Sequence, residues 1–459
     1  MPQPSHSQSH VVNSVAAQFQ PAQRDLIRIG SRRWFLQTGL AGVAGLSLPQ
    51  ILAASEAATG SAQPKKSVLL FWLSGGLSHI DSWDVKTNAP SEIRGPFGSI
   101  PTSLPGVRFT EHLPLQASIA HKLSIIRSVD CKASNHTPIT MQAGNPLARR
   151  MDNGNDGDGY PSMGSVVAKF RGSNDPAMPA FVGLADSWKA DIWESGQMGS
   201  DFAPVKGSEL AGRFAMPEGV LVDRLQDRQS LRREFDRLQA SLDRSETMTR
   251  TDRYSQQAFE FVLSGRAQKA FAIDEESPQL RDAYGRDSIG EKALLARRLV
   301  EAGVAFTVVS GAWGYFDHHG DEVRWGGIEK GLKPLLPRID QVIFTLINDL
   351  ETRGLLDSTL VLMMGEFGRG PVMTKTAGRD HWTNCMSMLV AGGGLKHGQI
   401  IGSTDARGYG IADRAVRPQD LAATVFSYMG IDLGSHWVNP QGRPVPIVTE
   451  GGKPIAELA

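Results

Sequence analysis

The stretch from Ser288 to Met364 constrains the fold of this chain more than any other. "SIGEKALLARRLVEAG" (288–303) carries Ile289, Ala293, Leu294, Leu299 and Val300 at helical spacing. Ser288 and Glu291 fit a capping box at its start, and Gly303 fits a stop. "VAFTVV" (304–309) follows at once and has the length of a strand. "PLLPRIDQVIFTLINDLETRG" (334–354) repeats the helical pattern through Leu335, Ile339, Ile343, Leu346 and Leu350, and "TLVLMM" (359–364) is a second strand. Helix and strand in close alternation is the signature of βαβ units. "VLLFWL" (68–73), "LSIIRSV" (123–129) and "SMLVA" (387–391) are equally apolar, and "PQDLAATVFSYMG" (418–430) is a further amphipathic helix. Runs apolar on both faces suit a parallel sheet covered by helices on each side. The expected fold is therefore α/β, with a mostly parallel central sheet flanked by helices.

Other segments have different characters. Residues 220–272 are charged and carry a helical stripe from Leu221 to Leu242, continued by "YSQQAFEFVLSGRAQKAF" (254–271); this predicts a helical insertion beside the sheet. "MDNGNDGDGYPSMG" (151–164) has the composition of a calcium loop but lacks the closing glutamate, so an ordinary loop is expected. Residues 1–30 read as a disordered extension. In 31–57 the pair Arg32–Arg33 precedes Phe35, Leu36 and a modest apolar run to Leu48, with Ser55 and Ala57 placed for cleavage. This pattern is similar to a twin-arginine export signal. It implies the twin-arginine translocase as a partner and a periplasmic or secreted location. Residues 58–66 would be a linker and 67–459 the folded domain, with no stable membrane span. The balance of 48 basic and 48 acidic residues leaves no basic stripe, so nucleic acid is not an expected partner. Two cysteines, Cys131 and Cys385, allow one disulfide or two buried thiols.

In open α/β sheets, ligands bind beyond the carboxyl ends of the strands. His79, Asp81 and Asp84 follow the first strand; Ser134, His136 and Thr137 follow the second. Asp317, His318 and His319 follow 304–309, Glu366 and Arg369 follow 359–364, and Arg379, Asp380 and His381 precede 387–391. Imidazole nitrogen and carboxylate oxygen are what a divalent ion such as zinc requires. Asp317 and His319, two apart, can share one side of an extended loop. Arg369 and Arg379 could bind the oxygens of a phosphoryl or sulfuryl group. The competing reading for each is structural: a hydrogen-bonded loop for Asp317 and His319, a turn for Asp380 and His381, a mutual ion pair for Glu366 and Arg369. Asp84 reads as a turn cap, and His318 as an exposed neighbour. Trp188 and Trp193 read as core packing, or as a sugar platform.

"LLFWLSGGLSHIDSWDVK", "SNHTP", "FDHHGDEV", "GEFGRGP" and "AGRDHW", in this order behind an export signal, resemble the DUF1501 family, which is related in fold to the alkaline phosphatase and sulfatase superfamily. The resemblance spans about residues 65–440. It implies an alkaline phosphatase-like sandwich with a metal centre of one or two ions at the strand ends. Zinc is the first choice, with calcium, manganese or iron as alternatives. The ligands it implies are Asp317, His319, Glu366 and His381, supported by Asp380, His79 and Asp81. The activity it implies is hydrolysis of phosphate or sulfate esters, small or polymeric, with Ser134 or Thr137 as nucleophile, His136 beside them and Arg369 on the oxyanion. The chain departs from the superfamily at "SGG" after the first strand, where an aspartate is usual, and at Phe367, where a histidine ligand is usual. Neither cysteine lies in a Cys-x-Pro-x-Arg motif, which argues against a formylglycine nucleophile. The alternative is a binding or surface-associated protein that keeps the scaffold without a working nucleophile.

Overall fold

A computed structural model describes residues 64–148, 159–176, 178–207, 266–311, 314–449 and 451–459. The stretch 31–57, read as an export signal, and most of 220–272, read as a helical insertion, lie outside the described residues. The end of the insertion that is described, Arg266–Phe271, is helical.

The five apolar runs form the expected strands, and three further short strands not expected from the sequence, Phe181–Leu184, Val205–Lys206 and Gln399–Ile401, extend the sheet. β1 (Ser67–Trp72), β2 (Leu123–Val129), β3 (Phe181–Leu184), β4 (Val205–Lys206), β5 (Phe306–Ser310), β6 (Thr359–Met364), β7 (Met386–Gly392) and β8 (Gln399–Ile401) make one eight-stranded sheet in the order β8-β2-β7-β6-β1-β5-β3-β4. β1 lies at its centre, with Leu70 between Val308 and Leu362. Period two sends its residues to opposite faces. Leu69 and Phe71 join a core with Leu294, Leu299, Ile339, Ile343 and Leu346, from helices α2 (Ser288–Ala302) and α3 (Lys333–Thr352). Val68, Leu70 and Trp72 join a second core with Val166, Val167, Leu421 and Val425, from α1 (Met163–Phe170) and α4 (Pro418–Tyr428). Both faces of the sheet are thus covered, which is why these strands read as unbroken apolar runs.

Lys65–Ala459 forms one compact unit. No helix among the described residues is long and apolar enough to cross a membrane. The N-cap of α2 departs from expectation. Asp287, not Ser288, accepts the N–H groups of Ile289 and Gly290. A carboxylate accepts two such bonds and favours the positive end of the helix, so it outcompetes the neighbouring hydroxyl. The two cysteines are free thiols, both buried. Burial pushes Cys385 up to about 12 and Cys131 higher still, so neither is a nucleophile at neutral pH.

One strand decides where the site forms. β7 is antiparallel to both β2 and β6. Its first residue, Met386, pairs with Val129, the last of β2. The segment that precedes β7, with Arg379, Asp380 and His381, therefore lies at the same edge as the loops that leave β1, β2, β5 and β6. A parallel β7 would have sent it to the opposite edge.

Candidate metal centre

Four side chains from three loops converge at that edge. Asp317 is their hub. Its Oδ1 lies 3.0 Å from His381 Nε2 and 3.0 Å from His319 Nε2, and its Oδ2 lies 3.3 Å from His136 Nε2. The two imidazole nitrogens of His319 and His381 are 2.9 Å apart. His136, Asp317 and His381 each offer a donor atom within 4.8 Å of the others. A tetrahedral zinc holds its donors at about 2.0–2.1 Å, which sets them about 3.3 Å from one another. The separations around Asp317 fall at or a little under that value, so His136, Asp317 and His381 fit three donors of a small divalent ion, with His319 Nε2 beside Asp317 and His381 but outside that mutually close group.

Two carboxylates stand behind these histidines. Glu366 Oε1 lies 2.8 Å from His136 Nδ1 and also accepts the N–H of Gly75 at 2.8 Å. Asp380 Oδ1 lies 3.6 Å from His319 Nδ1. A carboxylate on the far nitrogen fixes the tautomer and aim of a metal-ligating imidazole. Glu366 therefore takes the place of an orienting group and His136 that of a donor, the reverse of the order implied by the resemblance. Such outer partners are worth 10–100-fold in metal affinity. Asp380→Ala is accordingly expected to weaken zinc binding about 10-fold, at the low end because the carboxylate is exposed. Competition titration against a chromophoric chelator measures this; unchanged affinity would remove Asp380 from the site.

Arg369 holds the hub in place. Its Nε donates to Gly76 O at 3.1 Å and its Nη1 to Arg379 O at 3.0 Å, with His319 Nε2 at 3.4 Å from Nη1. Its Nη2 donates to Gly75 O and to Asp317 Oδ1. In the metal-free chain all five guanidinium N–H groups face acceptors, the weakest being His319 Nε2, whose lone pair a bound ion would take. Arg369 therefore positions Asp317 and keeps at most one N–H for an oxyanion. Arg379 is equally engaged. It forms a buried bidentate pair with Asp81, at 2.6 and 2.9 Å, and donates to the carbonyls of Ile93, Gly370 and Pro371.

Asp81 is thereby removed from the candidate ligands. His79 is as well: it is fully buried, with Nε2 3.1 Å from Gly408 O and 3.8 Å from Cys385 Sγ, and it makes no contact with Asp317. Asp84 pairs with Lys86 and Arg127. His318 is buried, not exposed, with Nδ1 3.1 Å from Trp325 O; burial and the Arg369 charge lower it to about 4, so it is a neutral structural residue. The hydroxyl of Thr137 donates to Asn135 Oδ1 at 2.6 Å, and that of Ser134 faces Asn135 O at 3.5 Å. Neither reaches the cluster. Trp188 packs on Gly183 and bonds Glu194, and Trp193 bonds Tyr160 O, so both serve packing.

The "SGG" that replaces the usual aspartate has its own use. Gly75 (φ +101) and Gly76 (φ +80) adopt backbone that favours glycine. A Cβ on Gly75 would come within 2.4 Å of Asp317 N, and one on Gly76 within 2.5 Å of Phe367 O. The bare backbone lets these loops close over each other and offers two carbonyls to Arg369.

Electrostatics follow from this geometry. Burial opposes charge on Asp317, but hydrogen bonds from His136, His381 and Arg369 hold its carboxyl far below the usual range. Burial also opposes charge on His136, yet Asp317 and Glu366 outweigh it and raise the imidazole to about 9. Burial and the Arg369 charge lower His319. The anchors are deep, with Glu366 and Arg369 buried, while His319 and His381 are one-third exposed, at 34% and 37%. The centre therefore opens to solvent on the side of those two histidines.

A family described as "Protein of unknown function (DUF1501)" matches residues 65–459. The chain belongs to the DUF1501 family. No curated protein matches it in sequence. Solved structures similar to this DUF1501 chain include a sulfatase from Pseudoalteromonas sp., at 12% identity over 83% of this chain and 70% of that one, with a TM-score of 0.37. A phosphonate monoester hydrolase from Silicibacter pomeroyi is similar at 10% identity over 85% and 76%, with a TM-score of 0.34. Another, from Agrobacterium radiobacter, is similar at 10% identity over 85% and 78%, with a TM-score of 0.35.

Proposed function

We propose that this DUF1501 protein is a metal-dependent hydrolase of phosphate or sulfate esters. His136, Asp317, His319 and His381 would hold a divalent ion, zinc by the character of the donors. The observation that carries this reading is the pairing of deep anchors with an open mouth. Buried Glu366 and Arg369 fix the donors, and the exposed faces of His319 and His381 leave a side through which substrate and water can arrive. A purely structural zinc site is closed by four ligands away from solvent.

A bound ion would supply Lewis acidity and lower the pKa of water that reaches it. The protein's own groups do the rest. Arg369 locks Asp317 in one orientation. Glu366 holds the proton on His136 Nδ1, which leaves Nε2 as donor. Asp380 aims His319. With no hydroxyl in the cluster among the described residues, water is the expected nucleophile rather than Ser134 or Thr137. Export by the twin-arginine route, with 31–57 as signal, belongs to the same reading; it is tested by replacing Arg32 and Arg33 with lysine and following the protein's location.

The test is turnover of aryl phosphates, phosphonates and sulfates by the zinc-loaded full chain beside His319→Ala. Zinc-dependent turnover that falls at least about 100-fold in the variant is expected, as for loss of an electrostatic stabiliser. One observation favours the other reading, a binding protein on the same scaffold: in the metal-free chain every donor of Arg369 and Arg379 faces an acceptor of the chain itself. Stoichiometric zinc with no turnover on any ester would establish that reading instead.

A further inference from the structure

Asp317 and His319 belong to the histidine cluster, but His318 between them lines a cleft of about 350 Å³ that neither of them lines and that the reading above does not use. The rest of its lining comes from the same loop and from the helix that follows. Tyr315, Arg324 and Trp325 belong to the loop. Lys330 lies in a π-helical turn, Ile328–Leu332, that runs straight into α3, and Arg338 lies in α3 itself. Such turns are rare and are frequent at functional sites. The wall is built around Trp325. Tyr315 meets its ring edge-on, with centroids 5.8 Å apart. A Cβ on Gly314 (φ +73) would come within 2.7 Å of the indole nitrogen, and one on Gly331 would collide with Trp325 O and His318 Nδ1. Bare backbone at these two positions lets the ring and its carbonyl seat where a side chain would displace them. The indole is nonetheless only half-buried, so the core accounts for only part of this arrangement.

Charge gives the cleft its use. Arg324 Cζ lies over the Trp325 ring, 4.6 Å from its centre. Among the described residues Arg324 makes no ion pair or hydrogen bond, so the ring positions the guanidinium while its N–H donors stay free. Arg338 has Asp287 only at 3.9 Å, and Lys330 pairs with Glu322 at 2.9 Å, both between exposed side chains. Contacts so exposed contribute little and yield to a better anion. Asp321 is the one acidic residue that lines the cleft among the described residues. Its Oδ1 is occupied by the N–H groups of Gly327 at 2.9 Å and Lys330 at 3.0 Å. In a chain whose formal net charge is +0, three cations thus share one cleft with a single carboxylate. Such a surface attracts anions. A guanidinium held in place before its ligand arrives suits phosphate or sulfate, whose oxygens accept two parallel N–H bonds.

We propose that this cleft binds a phosphate or sulfate group of an acidic ligand, with Arg324 as the main contact, Arg338 and Lys330 in support, and Trp325 as the platform that presents Arg324. The site stands whether or not the protein hydrolyses esters. One extension rests on the hydrolase reading: the substrate is then an ester with at least two anionic groups, one at the metal centre and one held in the cleft that the same loop lines.

The experiment is calorimetric titration of inositol hexakisphosphate, and separately of inositol hexasulfate, into the metal-free full chain. Wild type is expected to bind a single equivalent. His381→Ala, in the histidine cluster, and Arg407→Ala, an exposed arginine outside the cleft, should bind as tightly as wild type. In Arg324→Ala the affinity should fall about 10- to 100-fold, as for loss of hydrogen bonds to a charged group. Arg324 is exposed, so its replacement leaves the core intact. Trp325→Leu keeps every charge and removes the platform, and should cost about 2- to 5-fold. Binding of one probe and not the other supports the site and names the group it takes. Three results overturn the proposal: neither probe binds; Arg324→Ala binds as tightly as wild type; or Arg407→Ala or His381→Ala loses as much affinity as Arg324→Ala, which would mean general attraction or an anion among the histidines. Absence of ester turnover by the zinc-loaded chain would end the hydrolase reading and leave this binding result in place.

Discussion

Arg369→Met should cost this protein about 3–5 kcal/mol of stability, the size of effect seen when one partner of a buried ion pair is removed. Arg369 is 1% exposed and serves five acceptors on three segments of chain. Its removal leaves the Asp317 carboxylate without its guanidinium and strands the carbonyls of Gly75, Gly76 and Arg379. Lysine would restore charge but not the planar fork, so Arg369→Lys should recover less than half of the loss. Chemical unfolding of the metal-free chain measures both: the midpoint should drop with little change in slope. The histidines give an independent readout. The Arg369 charge depresses His319, so His319 should titrate at higher pH in Arg369→Met than in wild type. A variant that unfolds like wild type, with His319 unmoved, would show that the guanidinium is dispensable to the hub.

The five long strands were legible because they are buried on both faces, whereas β4 and β8 are short and half-buried and left no apolar run. β2 and β6 run over 123–129 and 359–364, the limits that the apolar runs define. The direction of β7 was not legible, since an apolar run carries no arrow, and only pairing with β2 and β6 sets it. The histidines and acids of five loops were correctly placed at strand ends, but their roles depend on partners far away in sequence. Asp81 looks like a ligand until Arg379, 298 residues on, takes both its oxygens. Glu366 looks like a ligand until His136, 230 residues back, is found on its Oε1. Arg369 looks free because three of its five acceptors are backbone carbonyls and the other two lie on the 317–319 loop, which no residue pattern reports. The cleft of Arg324 and Trp325 escaped notice for a different reason. Its residues are scattered through a loop and the start of the next helix, and a cation over an indole leaves no periodic trace.

The largest response to solution conditions is expected between pH 6.5 and 9, and it runs in opposite directions with and without zinc. In the metal-free chain His136 bridges Glu366 at 2.8 Å and Asp317 at 3.3 Å, and its pKa is raised from 6.5 to about 9. A raised folded-state pKa contributes stability that is fully present below 6.5 and is lost as pH climbs through 9. The metal-free melting temperature should therefore fall across that window. Zinc requires the neutral imidazole, so binding must expel the His136 proton. Each pH unit below 9 then costs about tenfold in apparent affinity. Zinc should stabilise weakly at pH 6.5 and progressively more strongly toward 9, so the two melting curves diverge. Calorimetry in buffers of different ionisation enthalpy should count about one proton released per zinc near neutral pH, and His136→Gln should abolish both the release and the divergence. If zinc instead binds with no proton released from wild type, His136 is not a donor. The ion would then rest on Asp317, His319 and His381 alone, with the imidazolium of His136 left between its two carboxylates as a fixed positive charge at the mouth.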